Sequence, residues 1–224
     1  MTIQLDHVFM CCQPGAPEAD VLLKLGFVEG SRNVHAGQGT ENRRFFFEGG
    51  FIELLWVAKP DETQSPLTSP TRLWPRWSGR KSETCPFGVA FSPAGDEVPP
   101  PPFATWEYHP KYLPQDKRIL FAEGTSLQEP ELFYMAWPHT MASAASQPKN
   151  HAIPLLRMLS VSVGVPSSNA LSQAARSAAD AGLLNYHQSS RYELLIEFAS
   201  KEPLHIDLRP ALPVILRGSV DSAI

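Results

Sequence analysis

The chain has 224 residues, of which 43% are hydrophobic and 10% aromatic, and its formal net charge is -4. This length allows one large domain, or two small ones built from similar units, with a substantial buried core. The acidic balance excludes broad electrostatic capture of nucleic acid, which needs a concentrated basic surface, so we expect no nucleic-acid partner.

We expect neither a targeting signal nor a redox motif in this sequence. No apolar run is long enough to cross a bilayer, and the amino terminus lacks a basic region followed by an apolar stretch and a cleavage site. Cys11, Cys12 and Cys85 form neither a CxxC motif nor a zinc tetrathiolate, and we expect buried thiols. We therefore expect a cytoplasmic protein with no membrane partner.

Residues 1–58 predict a first β-α-β-β-β unit. A strand over 5–12 precedes a short helix over 16–25, in which Pro17 suits the first turn and Gly26 the end. Two runs of aromatic and branched residues then flank Gly49-Gly50, a dipeptide typical of a tight β-hairpin turn.

Glu53 is the anomaly of the second hairpin strand, because all its neighbours from Phe51 to Val57 are apolar. A buried, ionised carboxylate is costly unless a cation or hydrogen-bond donors meet it. A salt bridge across the hairpin to Arg43 or Arg44 is one way to meet this need.

Residues 59–138 predict a connector and a second unit. The polar, proline-containing connector spans 59–84, and we expect it to pack down because Trp74 and Trp77 are too costly to leave in water. Residues 85–138 have strand patterns but a run of prolines in the place of a helix, which indicates a degenerate second unit.

A second linker spans 139–154, and a third β-α-β-β-β unit spans 155–218. Its helix is predicted over 170–181, capped by Ser167 or Ser168 and ended by Gly182. Its strands are predicted at 156–165, 192–198, 204–208 and 214–216.

The repeated βαβββ pattern, with Leu5-Asp6-His7 in the first strand and Ile52-Glu53-Leu54 in the last, resembles the vicinal oxygen chelate superfamily of glyoxalase-like proteins. Gly39-Thr40-Glu41-Asn42 resembles the Gly-Thr-x-Asn motif of one glyoxalase-like group. The resemblance covers Ile3 to Val57 best, the second unit less specifically and the third only in pattern. It implies an α+β fold in which repeated βαβββ units form half-barrel sheets.

The resemblance also implies a divalent metal inside the half-barrel. His7 and Glu53 match the two ligand places of the first unit, while Gly88 and Glu131 match those of the second, so His7, Glu53 and Glu131 are the expected ligands of zinc, nickel, manganese or iron. The alternative for His7 is a core histidine with backbone partners, and the alternative for Glu53 is the arginine pair.

Substrate contacts are expected from five residues: Thr40, Asn42, Arg43, Trp106 and Tyr108. Thr40 and Asn42 equally fit a structural turn. The aromatic pair equally fits a cover packed on the sheet.

Two functions follow from the resemblance. The first is an enzyme acting on a small metabolite, of lyase, isomerase or dioxygenase type, in which a metal is the Lewis acid and a carboxylate, Glu53 or Glu131, is the base. The alternative is a metal-free protein that sequesters planar molecules between aromatic side chains. Because units of this superfamily often pair between chains, a homodimer is also expected.

Overall fold

The computed structural model describes residues 2–81, 83–137, 146–167 and 171–220. The first part of the chain forms one helix and four strands: β1 (Ile3–Cys11), α1 (Ala19–Lys24), β2 (Asn33–His35), β3 (Thr40–Phe47) and β4 (Gly50–Val57). The β3-β4 hairpin turns at Gly49, whose φ of 78° lies in the left-handed region that glycine adopts without strain. β4 then returns to pair in parallel with β1.

The connector packs onto this first part through two short helices, α2 (Pro60–Thr63) and α3 (Leu73–Ser78). The indole Nε1 of Trp77 donates a hydrogen bond of 2.8 Å to the Cys12 carbonyl oxygen. The tryptophan thus ties the connector to the end of β1.

The next part of the chain adds four strands: β5 (Phe87–Pro93), β6 (Thr105–Tyr108), β7 (Ile119–Ala122) and β8 (Glu131–Met135). β5 pairs antiparallel with β1, which joins both parts into one eight-stranded sheet of order β2-β3-β4-β1-β5-β8-β7-β6. The parallel β5-β8 pair repeats the β1-β4 pair of the first part. The sheet is curled into a half-barrel.

The last part forms a separate five-stranded sheet of order β10-β9-β11-β13-β12. Its elements are β9 (Leu155–Val165), α4 (Gln173–Asp180), β10 (Asn185–Gln188), β11 (Glu193–Ser200), β12 (Leu204–Asp207) and β13 (Val214–Val220). Four strands were predicted here from the sequence, with none at 185–188. β10 pairs in parallel with β9 at the sheet edge, so the strand order differs from that of the first unit.

The predicted start of the helix in this last part needs correction. The amino-terminal cap is Ser172, whose hydroxyl oxygen accepts a hydrogen bond from the Ala175 N–H, and not Ser167. The other predicted cap, Ser168, lies outside the described residues, as do residues 139–145 of the second linker.

The main core lies between the two sheets and includes α1 and α4. Phe47 of β3 and Phe198 of β11 meet there with ring centroids 4.7 Å apart. Cys12 and Cys85 are buried and Cys11 is half-buried, each as a free thiol. No helix in the described part of the chain is both long and apolar enough to cross a membrane.

Candidate functional site

A cavity of about 490 Å³ lies on the inner face of the half-barrel. Its polar wall comes from the first part of the chain: Asp6, His7, Asn33, His35, Gln38, Asn42, Arg44 and Glu53. Its apolar wall comes mainly from the second part, through Ile119, Phe121, Phe133, Met135 and Trp137, with Phe9, Phe51 and Leu55 added by the first. The volume and the few convergent polar groups are typical of a small-molecule site.

His7 lies on β1 between two carboxylates. Its Nδ1 is 2.7 Å from Asp6 Oδ1, and its Nε2 is 3.5 Å from Glu53 Oε2. The Phe51 ring stacks on the imidazole with centroids 4.3 Å apart. The ring is therefore fixed on three sides, and Nε2 is the nitrogen directed at Glu53.

Asp6 reaches this site because β1 is irregular. Adjacent residues of a strand normally point to opposite faces of the sheet. The pairing of β1 with β5 shifts register between Leu5 and His7, which is a β-bulge or similar irregularity at Asp6, and bulges re-aim side chains. No role was assigned to Asp6 from the sequence, although its place beside His7 was the available signal.

The Glu53 carboxylate contacts the amide of Asn42 and the imidazole of His7. Asn42 Nδ2 donates a hydrogen bond of 2.5 Å to Glu53 Oε1. The Asn42 Oδ1 accepts from the Asn33 N–H at 2.8 Å, which fixes the orientation of the amide. Asn42, predicted to contact substrate, is thus also the residue that positions Glu53.

The predicted arginine alternative for Glu53 does not form. Arg43 points away from the cavity, where its Nη2 lies 2.5 Å from Glu29 Oε2 and its Nη1 donates to the Ala16 carbonyl oxygen. Burial by itself raises the pKa of Glu29, but the hydrogen bonds from Arg43 and Arg32 lower it. Arg43 therefore lies outside the cavity lining in which a substrate contact was expected.

Thr40 supports the polar wall from behind. Its Oγ1 is 2.9 Å from His35 Nδ1 and accepts a hydrogen bond of 2.8 Å from Gln38 Nε2. Burial lowers the pKa of His35 and raises the pKa of Tyr112, which also lines the cavity. His35 and Gln38 were missed by the sequence analysis because neither belongs to the recognised motif.

Trp106 and Tyr108 do not line the cavity, contrary to expectation. The Trp106 ring stacks on Phe121 with centroids 5.1 Å apart, and Tyr108 meets the same ring edge-on at 5.7 Å. Both residues lie behind Phe121 and form the cover that the alternative interpretation described.

Glu131 is held by two arginines outside the cavity. Its Oε2 lies 3.0 Å from Arg72 Nη2 and 3.0 Å from Arg76 Nη2, and Thr125 Oγ1 lies 3.4 Å from its Oε1. The guanidinium of Arg76 is completely buried. A carboxylate that already neutralises a buried cation does not match the predicted metal-ligand role.

Gly88, at the other ligand place of the second unit, leaves room for an aromatic ring. A Cβ atom built on Gly88 would lie 2.1 Å from Cε1 of Phe9. Phe9 thus fills the space into which a ligating side chain would project.

The donors around the cavity do not fit the metal centre that the resemblance implies. In the described ranges, no group of three or more His, Cys, Asp or Glu side chains comes close enough to hold a metal ion. His7 and Glu53 are two donors, whereas catalytic centres of the zinc type use three protein ligands. Asp6 has the position of an outer-shell carboxylate on His7, an arrangement that also serves metal-free proton transfer.

The half-barrel joins a βαβββ half to a half of four strands, β5 to β8, that has no helix between them. This sheet, with a cavity on its inner face, defines a vicinal oxygen chelate fold. A family model described as "Glyoxalase-like domain" matches residues 5–178, and the chain belongs to that family. The predicted superfamily and the α+β half-barrel fold are confirmed.

Two solved structures are similar to this chain at low sequence identity. A hypothetical protein from Staphylococcus aureus has a TM-score of 0.54 and 13% identity, with 99% of this chain and 100% of that chain covered. A mutant of 4-hydroxymandelate synthase from Streptomyces coelicolor has a TM-score of 0.40 and 12% identity, with 96% of this chain and 62% of that chain covered. No curated protein matches the sequence.

Proposed function

We propose that the chain is an enzyme that moves a proton on a small, oxygen-bearing molecule bound in the cavity. The observation that carries this proposal is the 3.5 Å approach of Glu53 Oε2 to His7 Nε2 at the cavity wall, with both groups positioned by further side chains. A base that is oriented by a second residue and a nearby imidazole form the usual pair of general acid-base catalysis.

In the proposed reaction, Glu53 removes a proton from the carbon next to a carbonyl group, and the electron pair moves onto the carbonyl oxygen. His7 Nε2 lies next to Glu53 and is placed to hydrogen-bond this oxygen, while Asp6 holds Nδ1. Return of the proton to a different position gives an isomer, and loss of a leaving group gives a lyase product. No step requires a metal.

Deuterium exchange tests this proposal. Small aldehydes, ketones and keto acids are incubated with the protein in D₂O, and NMR measures deuterium incorporation next to the carbonyl group. We expect exchange by the native protein and about a 100-fold or larger loss in Glu53→Gln, because a positioned general base contributes roughly 10²–10⁴-fold. Glu41→Gln, on β3 outside the cavity, is the matched control. Equal exchange by Glu53→Gln and the native protein would contradict the role of Glu53.

Metal content is measured on the same preparations. Plasma mass spectrometry is applied to protein purified without a metal-affinity tag, and to His7→Ala and Glu53→Gln. We expect no stoichiometric zinc, nickel, manganese or iron. Stoichiometric metal that disappears in both variants would show that the two donors suffice for a metal centre and would replace the metal-free mechanism.

The second candidate is a metal-free binding protein, and the apolar wall favours it. Phe121 and Phe133 stack with centroids 5.4 Å apart, and Phe133 lies edge-on to His7 at 5.5 Å. Binding of planar molecules that is unaffected by Glu53→Gln, with no exchange of any carbonyl compound, would support this candidate over the enzyme.

A further inference from the structure

Arg44 is a cation of the polar wall whose hydrogen bonds, among the described residues, go to neutral acceptors. It lies two residues from Asn42 on β3, so both side chains face the cavity. Its Nε donates to the Ser31 carbonyl oxygen at 2.8 Å and its Nη2 to the Ser31 hydroxyl at 2.7 Å. Both acceptors are neutral, and within the described ranges no carboxylate lies within ion-pair distance of Arg44 and no residue accepts a hydrogen bond from Nη1.

The guanidinium is held rigidly in this position. It lies 5.1 Å from the ring centroid of Phe46 and 5.8 Å from that of Phe51, at cation-π distance from both. Burial lowers the pKa of Arg44, and the Glu53 carboxylate opposes this change only in part. Removing a cation from water costs free energy, and a bound anion would offset part of that cost.

The carboxylates nearby are already engaged. Asp6 lies against His7, and Glu53 accepts from Asn42. Arg44 is therefore available to a bound anion, and arginine presents two parallel N–H groups that match a carboxylate.

The opposite side of the cavity is apolar and aromatic. Phe121, Phe133 and Trp137 belong to this wall, and the first two stack on each other. Lys117 stands at Trp137, with its ammonium 5.4 Å from the ring centroid, and adds a second positive charge to the lining. The cavity thus offers cationic contacts together with flat apolar surface.

We propose that the substrate of this site is an aromatic carboxylate, with its carboxylate on Arg44 and its ring against Phe121 and Phe133. The reaction of this substrate rests on the proposed function, whereas its binding to Arg44 does not. A carboxylate next to a carbonyl group would place the reacting carbon between Arg44 and the apolar wall, beside Glu53.

Two probes of the same shape test the inference. Phenylacetate and phenylacetamide differ in charge and little in size, and calorimetry or NMR titration measures the affinity of each. We expect the native protein to prefer phenylacetate by about tenfold or more, because hydrogen bonds to a charged group are roughly twice as strong as neutral ones. Arg44→Gln should remove the preference, and Arg44→Lys should reduce it because a point charge replaces the planar fork.

The controls separate charge at this site from net charge. Arg217→Gln removes an equal charge from the half-exposed surface of β13 and should leave the preference unchanged. Glu53→Gln should bind phenylacetate as tightly as the native protein or more tightly, because a negative charge near Arg44 is removed. If Arg44→Gln does not fold, Arg44→Lys and Glu53→Gln still decide the question.

Equal affinity of the native protein for the two probes, binding of neither at millimolar concentration, or a preference that survives Arg44→Gln would each overturn the inference. Selective binding of phenylacetate through Arg44, without deuterium exchange of any carbonyl compound, would leave the inference standing and refute only the proposed reaction.

Discussion

Glu53 shows how far a single residue can be interpreted from sequence. Its apolar neighbours correctly predicted a buried carboxylate that needs partners, since its side chain is only 7% exposed. The partners are Asn42 and His7, not arginine. Arg43 cannot pair with Glu53 because side chains alternate along a strand. Asn42 and Arg44 share the cavity face of β3, and Arg43 points to the other face.

Other residues of the site could not be predicted in this way. Asp6 reaches His7 only because β1 is irregular where it pairs with β5, a strand more than 80 residues further along the chain. Glu131 stands at a ligand place of the recognised family, but its partners Arg72 and Arg76 come from the connector. Such contacts depend on tertiary packing, which local patterns do not encode.

A substitution at Gly88 tests whether the Phe9 ring closes the space at this ligand place. We expect Gly88→Ala to lower the free energy of unfolding by about 1–3 kcal/mol, because the new Cβ would overlap the Phe9 ring. Gly95→Ala is the control, since a Cβ there has open space within 4 Å. Urea unfolding measures both. An unchanged stability of Gly88→Ala would show that Phe9 moves easily and that the ligand place is not closed.

The alanine-rich pattern of the last part predicted a helix. The observed end of that helix, α4, agrees with the prediction better than its observed start does. Gly182 follows α4 closely, whereas the first helical residue is Gln173 and the cap is Ser172. Three serines precede this helix, and sequence alone does not tell which hydroxyl meets a free N–H. β10 was missed because Asn185–Gln188 is mostly polar and lies at a sheet edge.

The cap of α4 is tested with two serines of the same segment. Ser172→Ala should cost about 1 kcal/mol, because the Ala175 N–H loses its acceptor. Ser177→Ala, inside the helix, should be neutral or slightly stabilising because alanine has the higher helix propensity. Thermal unfolding followed by circular dichroism measures both variants. Equal losses would mean that the Ser172 hydroxyl contributes nothing as a cap.

At the scale of the whole molecule, the pattern of the first 58 residues was enough to indicate the half-barrel, because hairpin, helix and strand signals agreed there. The pattern did not show which units share a sheet. The first and second parts form the cavity, and the last part forms a second sheet that packs on the opposite face. Since one chain supplies both cavity walls, the homodimer stays a prediction that the cavity does not require.

Packing between the sheets predicts cooperative unfolding. Phe198→Ala should cost about 3–5 kcal/mol, because Phe198 is fully buried against Phe47 of the other sheet. All five tryptophans lie before residue 138, so their fluorescence reports on the first sheet and the connector. We expect Phe198→Ala to lower the unfolding midpoint of tryptophan fluorescence and of circular dichroism together.

The control for this experiment is Leu159→Ala on β9, where the side chain is exposed and little change is expected. A shift of circular dichroism without a shift of fluorescence would show that the two sheets unfold independently.

The antiparallel β1-β5 pair joins the two halves of the barrel within one chain. This connection limits the orientations in which a small molecule can bind in the cavity. When two identical subunits build a cavity across a twofold axis, each substitution appears twice and the two sides stay alike. In this chain the two halves have different sequences, so the polar wall and the apolar wall that face each other are not copies of one another. We therefore expect a small molecule with unlike ends to bind in one orientation, with its charged end toward β3 and its flat end toward β7.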